Sequence, residues 1–572
     1  MSAFADRLMQ KEPWAGLLMG NHALVRAMLE SGVMVATTYP GSPTPEIADA
    51  ILAVPEAKRQ LNFEFSVNEK VALETAFGAS INGHLSTVFF KSVGLNVALD
   101  SAVQLSMMDV TGGMVIILGD DPGANSSQNE QDNRHTARMA YLPMFEPATP
   151  SEAYGMFKEA AALSQQLKFP VIVRMTTHVC HAREVIEFGA IPEHAYDWTP
   201  RFAYEGAQYW PITTTVFPLK RKTQAKLAAV ARHAEESRYT EEYAPQGSTP
   251  PGERRLGVIS AGLPAMALEE NLDESGVKLD VLKLGITYPL PRERVLKFLR
   301  GHDEVLVIEE LDRLLEAEIK MLAFDEGIST KIHARTDNEQ LMREYTSDRT
   351  WELLAQTWPQ HFAPRQPRPQ YGEEVSPRLP QMCPGCGHRS AFHAIRELLQ
   401  EEFPNAITVA DIGCHTLGSM EPYEMGNVLL CMGHSNGTGA GLAIGNTERP
   451  VITFIGDSTF YHAGMPALAN AAVHNHNITL VVMENYTTAM TGHQPTVGNG
   501  EMGDKLAIPQ VLEALGAKFI KSVDTYRQTE LKDLLREAIN YPGFAVVIAK
   551  HPCMLKFLRD KRHKAAAAAA AK

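Results

Sequence analysis

The sequence predicts an α/β protein built from several doubly wound domains. Three observations carry that expectation. Short apolar runs with the length and branching of buried parallel strands recur along the chain, separated by amphipathic stretches long enough for crossover helices. Proline- and glycine-bearing breaks divide the runs into three series. A length of 572 residues with 45% apolar composition supplies material for roughly three or four cores.

In chain order, residues 14–190 form the first series, with strand-like runs Val33 to Thr38, Ser86 to Phe90, Met114 to Leu118 and Val171 to Met175. Residues 191–252 are polar, aromatic and proline-bearing, and read as a connecting segment ordered only against its neighbours. The second series occupies 253–363, with runs Leu256 to Ser260, Leu279 to Leu284 and Glu304 to Ile308. The P-R-Q-P-R-P-Q stretch at 364–370 reads as a linker, and residues 371–555 hold the third series. Residues 556–572 are a tail ending in K-R-H-K, seven alanines and a lysine, low-complexity sequence outside the fold.

Composition narrows the partners. The balance of 53 basic and 67 acidic residues gives a net charge of −14, which argues against nucleic acid or anionic membrane and favours solubility. No run of about eighteen apolar residues occurs, and the first residues lack a signal-peptide core, so a cytoplasmic location is expected. Six cysteines in this length fit a reducing compartment.

Within the third series, Val451 to Ile455 and Ile478 to Met483 read as parallel strands, and Ala463 to His474 as the helix between them. Ligands of such βαβ units collect at the carboxyl ends of the strands. There Gly456 lets the backbone approach a phosphate, and Asp457 and Asn485, 28 positions apart, can aim oxygen ligands at one magnesium ion. Gly-Asp-Ser alone equally fits a strand-to-helix turn capped by Asp. A G-D-G-like start followed about thirty residues later by Asn is the thiamine-diphosphate signature; here Ser458 replaces its second glycine and Glu484 precedes Asn485. A second constellation, Cys383 and Cys386 in M-C-P-G-C-G-H-R, points two thiolates at one centre, and by itself fits half a zinc knuckle or a redox pair.

Taken together, C-P-G-C-G-H-R, D-I-G-C-H-T-L-G (Asp411 to Gly418), G-D-S-T-F-Y-H-A-G-M and E-N-Y-T-T-A-M-T-G-H-Q resemble the large subunit of indolepyruvate:ferredoxin oxidoreductases. These form the aryl-pyruvate branch of the 2-oxoacid:ferredoxin oxidoreductases. Y-P-G-S-P-T-P-E-I (Tyr39 to Ile47), N-E-K-V-A-L-E-T-A-F-G-A-S (Asn68 to Ser80), K-S-V-G-L-N (Lys91 to Asn96) and G-D-D-P-G-A-N-S-S-Q-N-E-Q-D-N-R (Gly119 to Arg134) extend the resemblance, in the same order, through the N-terminal half. Ser42 stands where the family usually has Thr.

The resemblance implies a pyrimidine-binding thiamine diphosphate domain at 14–190, a transketolase C-terminal-like domain at 253–363 and a diphosphate-binding domain with an iron-sulfur cluster at 371–555. It implies oxidative decarboxylation of an aromatic 2-oxoacid such as indolepyruvate or phenylpyruvate to the acyl-coenzyme A. Electrons would pass through a 4Fe-4S cluster to ferredoxin or another acceptor. A non-oxidative thiamine-dependent decarboxylase is the alternative, and a non-catalytic scaffold subunit a third reading. Thiamine diphosphate would be held by Gly456, Asp457, Ser458, Asn485, Thr487, Ser435 and Glu69, and magnesium by Asp457, Asn485 and Thr487. The cluster ligands implied are Cys383, Cys386, Cys414 and Cys553, with zinc the alternative metal for the same four. Cys180 and Cys431 read as buried thiols acting as small hydrophobes.

For catalysis, a carboxyl group must stand beside the pyrimidine nitrogen. Glu69 is the candidate, with Gly78 nine residues on as in other thiamine enzymes, Glu74 as a fallback, and Val67, Val71 and Leu73 as apolar neighbours disfavouring charge. The plain alternative is a glutamate that caps or solvates a helix start. Ser42 and the D-D-P-G-A-N-S-S-Q-N loop are candidates for holding the substrate carboxylate or carbonyl, although a solvated loop fits the latter as well. Met490 stands where pyruvate-using relatives carry a polar residue, which favours an apolar substrate side chain. The ferredoxin-like domain of the indolepyruvate relatives is not seen after Cys553. The resemblance also implies a smaller subunit, carrying the remaining oxidoreductase domain, as partner in a heterodimer or dimer of heterodimers.

Overall fold

The computed structural model describes residues 3–193, 196–205, 208–244, 247, 254–365, 380–446 and 448–570, with no side chain described for 3 or 566–570. Most of the 364–370 linker and the end of the 191–252 connector lie outside the described residues. The chain divides into two compact units, Met1–Pro369 and Gln370–Lys572. Among the described residues no helix is long and apolar enough to cross a membrane.

The first unit contains two large sheets. Across the larger, the order is Ile286–Tyr288, Met144–Phe145, Val171–Thr176, Met114–Asp120, Ser86–Lys91, Val35–Thr38 and Asn62–Phe65. All its pairs are parallel except the first. Its central strands read as unbroken apolar runs because both faces are covered. Val115 and Ile117 face one core with the helices Gly20–Ser31 and Pro150–Leu167, while Met114, Ile116 and Leu118 face the other with Glu69–Ile81 and Gly94–Leu105. The smaller sheet runs Lys331–His333, Glu304–Ile308, Leu256–Ala261, Asp280–Leu284 and Glu241–Tyr243, with only the last strand antiparallel. It too is covered on both faces, with Val258 and Leu306 on one and Ile259 and Val307 on the other.

The connector expected at 191–252 is more ordered than its composition suggests. It contains a 21-residue helix, Val216–Glu236, and the edge strand Glu241–Tyr243. The helix is docked by its own side chains: Leu219, Thr223, Val230 and Ala234 are buried, and Thr223 donates to the Ser106 carbonyl at 2.9 Å. Lys222 and Lys226 both grip Asp109, the latter at 2.7 Å.

A buried ionic network joins the two sheets. Arg134 donates to Asp132 at 2.6 Å, to Glu309 at 2.6 Å and to the Glu310 carbonyl at 2.6 Å. Arg174 bridges Asp120 at 2.6 Å and Glu146 at 2.9 Å, and Thr287 donates to the same Glu146. Glu309 also accepts the Leu315 and Glu316 amides at the start of the helix Leu314–Asp325. Burial pushes the Glu310 carboxyl up to about 7 against the attraction of Arg174.

The second unit is one all-parallel sheet in the order Ile407–Val409, Val451–Gly456, Thr479–Glu484, Ala545–Lys550 and Phe519–Asp524. Ile452, Phe454 and Val481 face the helices Gly387–Glu402 and Gln528–Ile539, and Ile455, Leu480 and Val482 face Met465–His474. The expected crossover over Ala463 to His474 is a π-helical turn, Phe460–Gly464, running into a helix from Met465.

The ionic network is testable. Arg134→Met strands the Asp132 and Glu309 carboxylates in a dry interior, and removing one partner of such a set costs about 3–5 kcal/mol. Urea unfolding of the whole chain should show that loss; a change below about 1 kcal/mol would mean that the carboxylates reach water or another cation.

Candidate active site

The second unit collects its chemistry at the carboxyl ends of four adjacent strands. Asp411 and Cys414 follow Ile407–Val409, Asp457 follows Val451–Gly456, Asn485 follows Thr479–Glu484, and Cys553 follows Ala545–Lys550. Asp457 is buried and accepts three amides: Ser458 at 2.8 Å on one oxygen, Asn485 at 3.1 Å and Tyr486 at 2.6 Å on the other. Burial raises its carboxyl to about 7, the amides opposing and the Glu484 charge adding to the rise. Asn485 Oδ1 accepts the Thr487 amide at 3.1 Å, the Thr487 hydroxyl donates to the Gln494 carbonyl at 3.1 Å, and the Ser458 and Thr488 hydroxyls are 2.9 Å apart.

Asp411 organises the neighbouring loop. It accepts the amides of Ile412 at 2.7 Å, Gly433 at 2.8 Å and Ser435 at 3.0 Å, fixing the start of the helix Ser435–Ala443. Asn436 Nδ2 is buried there without a hydrogen-bond partner among the described residues, and the buried Ser435 side chain bears on the Asp411 carboxylate. His415 lies over the backbone: a Cβ on Gly456 would fall 3.0 Å from its ring, and one on Gly413 2.7 Å. Burial pushes the His415 imidazole down to about 3.

The four candidate cluster thiols belong to this same unit. Cys386 closes the cysteine loop by donating its amide to the Cys383 carbonyl at 3.1 Å, and it precedes the helix Gly387–Glu402. Burial pushes the Cys414 thiol up to about 12, with further contributions from Cys386, Cys553, Cys383 and Asp457. The Cys553 amide donates to the Asn485 carbonyl at 3.1 Å, so chain positions far apart in sequence meet at one strand end. Among the described residues, the only three His, Cys, Asp or Glu side chains with ligand atoms within 4.8 Å of one another are Asp132, His135 and Asp312. The two remaining cysteines differ. Cys180 is buried in the first unit, as expected, but Cys431 is exposed, because the loop before Ser435 carries it with Leu429 and Leu430 into solvent. Met490 is also exposed.

In the first unit the candidates again follow adjacent strands: Glu69 after Asn62–Phe65, Ser42 after Val35–Thr38, Lys91 at the end of Ser86–Lys91 and Asp121 after Met114–Asp120. Glu69 is buried at the first position of its helix, where the Asn68 side chain caps the Val71 amide at 2.9 Å. Glu74 is exposed, paired with Lys70 and accepting from the Ser101 hydroxyl at 2.6 Å. The expected apolar setting of Glu69 is only partly present: Val71 is exposed and Leu73 packs into the core. Gly94 lies against Glu69 instead, since a Cβ there would sit 2.6 Å from Glu69 Cγ. Gly78, singled out by its spacing, is exposed, and a Cβ there would meet nothing within 4 Å.

The acidic loop after Asp120 is built, not merely solvated. Asp121 is buried and accepts the Ser126 amide at 2.8 Å and the Thr177 hydroxyl at 2.8 Å; these bonds outweigh burial and hold its carboxyl below the usual range. Ser42 is half-buried in the turn before the helix Pro45–Ala53. Sequence reasoning gave no role to Lys91, although it opens a quoted motif. It is a half-buried cation that donates to the Ser126 carbonyl at 3.1 Å; burial lowers its pKa against the attraction of Asp121 and Glu69.

Comparison with known proteins covers both units. Residues 26–249 match the family model "Pyruvate flavodoxin/ferredoxin oxidoreductase, thiamine diP-bdg", residues 250–351 the "Indolepyruvate oxidoreductase domain", and residues 411–549 the "Thiamine pyrophosphate enzyme, C-terminal TPP binding domain". The chain is 38% identical over 556 residues to indolepyruvate oxidoreductase subunit IorA of Methanothermobacter thermautotrophicus, covering 94% of this chain and 87% of that one. It is 36% identical over 564 residues to IorA of Pyrococcus abyssi, with 94% and 86% covered. Among solved structures, the 2-oxoglutarate:ferredoxin oxidoreductase from Magnetococcus marinus aligns with a TM-score of 0.47 at 15% identity, over 61% of this chain and 65% of that one.

The Gly94 contact generates a prediction. Gly94→Ala places a methyl group against Glu69 Cγ and must displace that side chain or the helix start, an overpacking cost of about 1–3 kcal/mol. A lowered urea midpoint is expected, and Glu69→Ala in the same chain should relieve it. Equal midpoints for Gly94→Ala and the parent would mean the two groups do not meet.

Proposed function

The chain belongs to the indolepyruvate oxidoreductase family, thiamine-diphosphate-dependent enzymes that decarboxylate 2-oxoacids oxidatively, and from that premise we propose its substrate, metals and partner. The substrate is an aromatic 2-oxoacid, indolepyruvate or phenylpyruvate in kind. With coenzyme A and two one-electron acceptors it yields the acyl-coenzyme A, carbon dioxide, two reduced acceptors and a proton. Ferredoxin or a similar carrier accepts the electrons, and a smaller oxidoreductase subunit completes the complex.

The observation that carries the cofactor assignment is Asp457, a buried carboxylate fixed by three amides beside Asn485. Asp457, Asn485 and Thr487 offer the hard oxygens that magnesium prefers, and the unpartnered Asn436 amide, with the Ser435 hydroxyl beside it, offers polar contacts for a diphosphate. Gly456 and Ser458 would line its approach. Thiamine diphosphate, when bound, supplies the nucleophilic carbon and the electron sink for loss of carbon dioxide. Glu69 would share a proton with the pyrimidine nitrogen, and Ser42 would hydrogen-bond the substrate carbonyl.

Cys383, Cys386, Cys414 and Cys553 are assigned to a 4Fe-4S cluster, which would pass electrons singly to the acceptor.

Two experiments test the reading. The chain, reconstituted with thiamine diphosphate, magnesium and the smaller subunit, should form phenylacetyl-coenzyme A from phenylpyruvate only with an electron acceptor. Glu69→Gln should slow that turnover by about 10²–10⁴-fold while cofactor binding persists. Release of the aldehyde without an acceptor would identify a non-oxidative decarboxylase instead.

Iron and sulfide content tests the ligand set. Cys414→Ala and Cys553→Ala should each lose the cluster and its broad visible absorbance, whereas Cys180→Ala and Cys431→Ala should keep both. A full cluster in Cys553→Ala would move the fourth ligand elsewhere.

A further inference from the structure

We propose that Lys91 binds the carboxylate of the 2-oxoacid, an assignment that rests on the substrate class proposed above. Lys91 ends the strand Ser86–Lys91, between the Ser42 turn and the Asp121 loop in the order of the sheet. Its side-chain stem lies across bare backbone. A Cβ on Gly41 would fall 2.7 Å from Lys91 Cγ and 2.9 Å from both Cβ and Cδ, so any other residue in place of Gly41 would push the lysine out. The glycine next to Ser42 therefore has a reason: it seats the stem of Lys91.

The ammonium has three donors, and its direct hydrogen bond is to the Ser126 carbonyl at 3.1 Å. None of the ion pairs among the described residues is made by Lys91, and the charges of Asp121 and Glu69 attract it. Asp121 is committed elsewhere, to the Ser126 amide and the Thr177 and Ser126 hydroxyls. This half-buried ammonium keeps spare donors and makes no ion pair among the described residues, and a charge partly withdrawn from water gains from one. A 2-oxoacid brings one carboxylate, and a charge-assisted bond to it would complete the site. Because the reaction removes that carboxylate, an anchor on it separates substrate from acyl product. The plain alternative is that Lys91 only straps the Asp121 loop through Ser126.

Lys91→Gln separates the two roles, since glutamine can still donate to the Ser126 carbonyl but carries no charge. Binding of 3-phenylpropionate and of its neutral amide, 3-phenylpropanamide, would be measured by calorimetry on the holoenzyme with its partner subunit. The parent should prefer the carboxylate by roughly 10- to 100-fold, the range for a hydrogen bond to a charged group. Lys91→Gln should lose that preference with amide affinity unchanged, Lys91→Arg should keep most of it, and KM for phenylpyruvate should rise by a similar factor in Lys91→Gln. An undiminished preference in Lys91→Gln, or none in the parent, overturns the assignment. A parent that discriminates between the probes through Lys91 yet turns over no aromatic 2-oxoacid refutes the substrate class and leaves the carboxylate site standing.

Discussion

Asp457 ties together the ends of two strands that nothing in local sequence requires to cooperate. Its carboxylate accepts its own following amide and those of Asn485 and Tyr486, fixing the turns after Val451–Gly456 and Thr479–Glu484 in one register. From there the constraint spreads. The Asn485 carbonyl receives the Cys553 amide, so the last cysteine is positioned through the same turn that carries the candidate magnesium ligand. A buried carboxylate surrounded by donors and short of cations suits a site that a divalent ion completes.

The first unit solves a similar problem with side chains. Its large sheet places Glu69, Ser42, Lys91 and Asp121 after neighbouring strands, while Arg174 ties two of its strand ends together through Asp120 and Glu146 and Arg134 holds the loop behind them to the end of a strand of the smaller sheet. Such a network is poor evidence of net stability, because desolvation offsets much of the attraction. Its geometry does fix where the Asp120–Asp132 segment lies, and that segment contains the Ser126 carbonyl held by Lys91.

Much of this was legible in the sequence, for identifiable reasons. Strands such as Glu304–Ile308 and Met114–Asp120 declare themselves because burial on both faces demands a continuous apolar run, residues 305–308 in one and 114–118 in the other. The helix Val216–Glu236 was hidden because only one narrow stripe, Leu219, Thr223, Val230 and Ala234, is buried, and charged residues and alanines make up most of the rest. Cys553 could be placed only by resemblance, since spacing carries no information about a contact made through the carbonyl of Asn485. Gly78 and Gly94 teach the same lesson. The glycine with matching spacing faces solvent, and the one that Glu69 needs lies on another helix. Lys91 passed unnoticed because a lysine in a motif looks like surface until the neighbouring Gly41 is seen to make room for it.

The pairing of Ile286–Tyr288 with Met144–Phe145 has a consequence for biogenesis. The chain leaves the smaller sheet at Leu284 and two residues later becomes the edge of the larger one. On the ribosome, the first 190 residues therefore emerge with an uncovered strand edge that stays open until about a hundred more have been made. An open edge is a template for another chain. Met144–Phe145 is only two residues long, which keeps the exposed ladder short during that interval. The nascent protein is thus guarded by the brevity of a strand that, in the finished molecule, looks too small to matter.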